Sequence, residues 1–203
     1  DEARASEAIL SREDRALVQT AMAWYGFYDA KVDGSFGKGT RQSMAAWQTA
    51  FGYEATGVLT SVQRATLVGN YQADQAEFGF ETITEPEAGI EIALPSAMVS
   101  FDRYEPPFVH YEEKNGSKLR LILISEPGDQ AALAGLYDVL QSLDAVPATG
   151  DRTLEDGRFT INGTNEKMSA FAYAATSKGA VKGFLALWDP AISAKMLRVL
   201  PAL

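Results

Sequence analysis

Residues 31–48 read KVDGSFGKGTRQSMAAWQ, with Gly34, Gly37 and Gly39 inside six positions just before a stretch at helical spacing. Glycine weakens regular structure and is useful where the chain turns or approaches something closely. Two ligand-cradling loops can be tested here. A P-loop needs Lys followed by Ser or Thr after its last glycine, behind an apolar strand. Here Gly39 follows Lys38 and no such strand precedes. A calcium loop needs an acidic ladder closed by Glu at its twelfth position, which Asp29 and Asp33 do not begin. The glycines therefore shape a fold: Asp33 is expected to accept backbone N–H groups in an Asx turn, Gly34 and Gly37 to permit φ > 0, and Phe36 to plug a core.

Working outward, Ser11 is a plausible N-cap with Glu13 and Asp14 in the first turn, and Leu17, Val18, Ala21, Trp24 and Tyr25 mark one helical face closed by Gly26. Thr40 is expected to cap a second helix whose apolar face is Met44, Trp47 and Phe51. A third begins at Thr60. Three short helices joined by glycine turns make a bundle of about 60 residues, near the lower limit for an independent core.

Beyond residue 72 the pattern weakens, and residues 73–89 read as a linker. Strand periodicity follows. GIEIALP alternates, and FVHYEE and KLRLILIS flank Asn115-Gly116, a type I′ hairpin signal. Residues 131–143 return to helical spacing. RFTING, MSAFAYAAT and AVKGFLALW are further strands, and Asp189-Pro190 opens a terminal helix. The expected fold class is α+β in two domains: a three-helix bundle over 1–72, then a mostly antiparallel sheet over 90–203 with one inserted and one terminal helix. No internal repeat is visible along the chain.

Composition excludes several functions. The 203 residues carry a formal net charge of -9, with 7 basic against 12 acidic side chains in 1–85 and 11 against 15 in 86–203. With no basic tract to neutralise phosphates, nucleic acid is not a partner. No apolar run approaches the roughly 20 residues that span a bilayer. There is no Cys and one His, His110, so thiolate chemistry and a multi-histidine zinc site are both excluded, and no metal or cofactor is expected.

The order G-F-Y, V-D-G-S-F-G, T-R-x-S-M-A-A-W-Q, G-Y, T-G-V-L-T and R-A-T-L resembles the peptidoglycan-binding domain type 1, a three-helix bacterial wall-binding module, over about residues 12–70. Lys38-Gly39 stands where that family usually has Pro, and Trp47 where Phe is commoner. Asp33, Gly34, Phe36, Gly37 and Trp47 carry the motif and are expected to build the fold. The resemblance implies peptidoglycan as the partner, with Tyr25, Tyr28, Arg41 and Gln48 as candidate contacts: aromatic rings stack on sugars, Arg pairs with stem-peptide carboxylates, and Gln48 either lines a groove or is a buried hydrogen-bonding residue.

Such modules often accompany wall-cleaving enzymes, and a catalytic site would then lie in the second part. His110 sits inside an alternating strand with no G-x-S-x-G elsewhere, which argues against a serine triad. Glu105, Glu112, Glu113, Asp151, Glu155 and Asp156 could supply a carboxylate pair in number only. No catalytic residue is assigned. By element order this part is weakly similar to PsbP/Mog1-like α/β domains, which transfers no site. The expectation is a non-catalytic envelope protein, periplasmic or secreted with any signal peptide removed, that binds the wall and presents its second domain to a partner. Two alternatives stand: a portion of a wall hydrolase or protease, or a cryptic one, and a scaffold whose module no longer binds.

Overall fold

The computed structural model describes residues 2–203 and divides into two compact units, one ending at Ala76 and the other running from Glu77 to Leu203. The first contains helices α1 (Glu2–Ala8), α2 (Arg12–Trp24), α3 (Lys38–Ala50) and most of α4 (Ser61–Phe78). α2 starts where expected, with Ser11 and Asp14 exchanging bonds across a capping box. At α4 Thr60 and Gln63 do the same, each side chain accepting the other's backbone N–H at 3.1 Å. The core is Val18, Ala21, Met22, Tyr28, Met44, Trp47, Leu59 and Leu67.

One construction occurs twice in this unit. In each case a helix carries an arginine and, seven residues on, a fully buried glutamine: Arg12 and Gln19 on α2, Arg41 and Gln48 on α3. Each helix ends before a glycine in the left-handed region, Gly26 or Gly52, and each loop turns at another, Gly34 (φ +72°) or Gly57 (φ +70°). The Gly34 N–H donates to Gln19 Oε1 at 2.8 Å, and the Gly57 N–H to Gln48 Oε1 at 2.9 Å. Each arginine donates to a loop carbonyl, Arg12 to Asp33 and Arg41 to Gly57. A Cβ on Gly34 would lie 2.6 Å from Arg12 O, and one on Gly57 3.0 Å from Arg41 O, so loop and helix backbones touch. Because 15 residues separate the bonded pair in one copy and 9 in the other, the repeat is invisible to sequence periodicity.

Two expectations at the start of α3 are corrected. Gly37 has φ −80° and is the extended N-cap residue, so it needs no left-handed freedom. Thr40 does not cap the helix. It is buried in the first turn, its hydroxyl donating to Ser35 O at 3.2 Å. Helix and turn chemistry compete for hydroxyls here, and the loop carbonyl wins.

In the second unit a hairpin, β1 (Phe80–Glu85) with β2 (Ile90–Pro95), stands apart from a seven-stranded sheet. That sheet contains β3 (Val99–Glu105), β4 (Phe108–Glu113), β5 (Leu119–Pro127), β6 (Arg152–Glu155), β7 (Arg158–Thr164), β8 (Ser169–Ser177) and β9 (Ala180–Trp188). Its order is β3-β4-β5-β9-β8-β7-β6, antiparallel throughout. Helix α5 (Gln130–Ser142) is inserted between β5 and β6, and α6 (Ser193–Val199) follows a 3₁₀ turn at Pro190–Ile192. The α+β class is as expected, and the Asn115-Gly116 turn has positive φ at both residues as a type I′ turn requires. Residues 73–89, read as a linker, hold the end of α4, all of β1 and the turn into β2. α5 packs Leu133, Leu136 and Leu140 onto Phe159, Ile161, Ala172 and Leu185 of the sheet.

Candidate functional site

The surface of the first unit is where the sequence places ligand contacts, and the structure separates them. Arg41 lies in the first turn of α3. Its guanidinium sits 5.5 Å over the Phe36 ring, donates to Gly57 O at 3.2 Å, and grips the Glu7 carboxylate through both terminal nitrogens at 2.5 Å. The Glu7 hydrogen bonds raise the arginine's pKa above its ordinary value. The side chains of Arg41 and Glu7 are 34% and 13% exposed, so this is a partly desolvated, bidentate pair.

The other three candidates hold the fold. Tyr28, expected at the surface, is buried. Its hydroxyl donates to Lys31 O at 2.7 Å and accepts from Gln19 Nε2 at 3.0 Å. Gln48 is 1% exposed and fully engaged, donating to Thr56, Val58 O and Gln63 while accepting from Gly57. Tyr25 is half-buried, its hydroxyl donating to the Asp74 carboxylate at 3.0 Å beside Trp24 Nε1. Asp33 makes the expected Asx turn, accepting from Ser35 N–H at 2.8 Å. That bond, then Gln19, holds its carboxyl below the ordinary carboxylate range.

Sequence reasoning missed an aromatic stack at the end of α3. Trp47 is buried, as its core assignment requires, but Phe51 stacks on it at 4.8 Å and Tyr53 at 5.7 Å, with interplanar angles near 25°. Phe51 is 48% and Tyr53 41% exposed. Phe51 was expected on the buried face of the helix. It lies one residue past the helix's end, as the C-cap residue, and is half-exposed. Trp47 Nε1 is buried without a hydrogen-bond partner among the described residues. Phe51 and Tyr53 each stack on the buried indole and are partly exposed to solvent, and an exposed aromatic face is the kind of surface on which a sugar ring stacks.

In the second unit His110 lies on β4, a strand residue as expected, facing α5. It lines two adjoining clefts of about 290 and 280 Å³ with Ile122, Leu143 and Leu185. Its Nε2 lies 3.8 Å from the Glu105 carboxylate and makes no hydrogen bond among the described residues. Glu105 also pairs with Arg103 and Glu155 with Arg158, so these two carboxylates are used in ion pairs. On the other sheet face a cleft of about 390 Å³ is lined by Phe171, Tyr173, Phe184 and Ile92. Among the described residues no group of three or more His, Cys, Asp or Glu is placed to hold a metal ion, and no helix is long and apolar enough to cross a membrane.

No curated protein matches the chain. Residues 11–67, from the α2 cap to the second turn of α4, match the model of the family described as "Putative peptidoglycan binding domain".

Proposed function

We propose that this chain binds bacterial peptidoglycan through residues 11–67, in the periplasm or after secretion, and presents its α+β unit to a ligand or protein partner without cleaving the wall itself. The family match over that stretch carries the proposal. The surface adds chemistry suited to the polymer: exposed Phe51 and Tyr53 for sugar faces, and the Arg41 guanidinium for a peptide carboxylate. The family's recurring residues, Gly34, Trp47 and Gln48, are spent on the loops and core, so recognition falls to less regular positions around them.

Sedimentation of the full chain with insoluble sacculi tests this, at low and high salt, beside a Phe51→Ala/Tyr53→Ala double variant. Retention of the wild type, loss in the variant and weak salt dependence are expected. A chain that stays in the supernatant at both salts overturns the proposal.

A further inference from the structure

The Arg41 guanidinium, the one charged side chain among the four candidate contacts, is occupied by this chain's own carboxylate. Its partner Glu7 lies on α1, which precedes the stretch that matches the family. Glu7 meets the guanidinium end-on, one oxygen to each terminal nitrogen. That is the fork geometry a free carboxylate of a ligand would adopt. α1 is otherwise lightly held. It buries no side chain fully, and its other polar anchor is Glu2, which accepts from the exposed Ser61 N–H at 3.2 Å and from the Ser61 hydroxyl.

The internal repeat argues that the fold does not need this pair. Arg12 occupies the equivalent place on α2, holds the equivalent loop through a backbone carbonyl, and forms no ion pair among the described residues. Each arginine holds its loop by a bond to a backbone carbonyl; among the described residues Arg41 makes a carboxylate salt bridge and Arg12 does not. A pair that the architecture can omit, made by a short helix with no buried side chain, is an exchangeable contact.

We propose, resting on the wall-binding reading above, that Arg41 with Phe36 beneath it is a subsite for a free carboxylate of a stem peptide, and that Glu7 is a tethered stand-in which the ligand's carboxylate displaces. α1 then lowers the module's apparent affinity, because each binding event must first release it.

The test compares full-length wild type with Glu7→Gln in binding a soluble disaccharide-tetrapeptide muropeptide and the same muropeptide with its carboxyl groups amidated. Hydrogen exchange of residues 2–8 is followed in the wild type. Removing the competitor is expected to tighten binding of the free acid about three- to tenfold, the range of a partly exposed bidentate pair, and to leave the amidated form unchanged. Residues 2–8 are expected to lose protection when the free acid binds. If both proteins bind the free acid equally and protection of 2–8 is unchanged, this inference falls while wall binding stands. Weaker binding by Glu7→Gln also overturns it, by making α1 part of the site. If neither protein binds muropeptide or sacculi, the wall-binding proposal itself fails and takes the inference with it.

Discussion

Replacing Gln19 by leucine isolates what holds the glycine loop to α2. The side chain has no solvent exposure, and its Oε1 accepts two backbone N–H groups, Asp33 at 3.1 Å and Gly34 at 2.8 Å. Its Nε2 donates among Tyr28 Oη, Asp33 Oδ1 and Ser35 O. Leucine has nearly the same volume and supplies none of these bonds. Leaving the buried Gly34 N–H and the part-buried Asp33 N–H unpaired costs at most about 1–3 kcal/mol each, and the gain from burying an apolar side chain returns part of that. The net loss is then about 1–4 kcal/mol. A unit of this size is stable by about 4–11 kcal/mol at ordinary values per residue, so the loss is a large share of the total. Hydrogen exchange on the full chain reads it directly, with β5, β8 and β9 as an internal reference. Amides of α2 and α3 in Gln19→Leu are expected to exchange roughly 5- to 900-fold faster while the reference strands keep wild-type rates. Wild-type protection across 11–67 would refute the anchoring role. Gln48→Leu strands one backbone N–H, at Gly57, and its net effect is expected to be smaller, under about 2 kcal/mol.

Trp47→Ala removes a fully buried indole and is expected to destabilise the first unit by about 3–5 kcal/mol in urea unfolding, whereas Tyr53→Ala removes a half-exposed ring and is expected to cost under about 1 kcal/mol while weakening sacculus retention. Gly34→Ala combines φ +72° with a Cβ 2.6 Å from Arg12 O and is expected to cost at least about 2 kcal/mol. Gly116→Ala, with φ +68° and open space, is expected to cost only the left-handed penalty of about 1 kcal/mol, and thermal melts separate the two. Because the Asp33 carboxyl is held below its ordinary value of 3.8, its contribution is present above that value and is lost as pH falls through the lower folded value. Melting temperature should therefore fall as pH drops below about 4, and Asp33→Asn should flatten that fall.

Much of this architecture is legible in the sequence wherever burial imposes a period. Both faces of β5 and β9 are covered, and their apolar runs read as strands; α5 shows its stripe because Leu133, Leu136 and Leu140 all face the sheet. The missed strands β3 and β6 are the two edges of the sheet, where most residues are exposed and no alternation is enforced. Site residues were harder to place. Tyr28 and Tyr53 both follow a helix-ending glycine, yet one buries its hydroxyl against Gln19 and Lys31 and the other lies half in solvent. Residue type alone does not distinguish them, since tyrosine suits either place and the difference lies in which partner the loop supplies. The Glu7–Arg41 pair spans 34 residues and depends on where α1 docks, which no local pattern encodes.

Chemical-shift mapping of the full chain titrated with a soluble muropeptide tests the central claim most directly. Binding by the first unit predicts saturable shifts clustered at Phe36, Arg41, Phe51, Tyr53 and Gly57, with β5, β8 and β9 unmoved. Shifts confined to the second unit, or none at millimolar ligand, would contradict it.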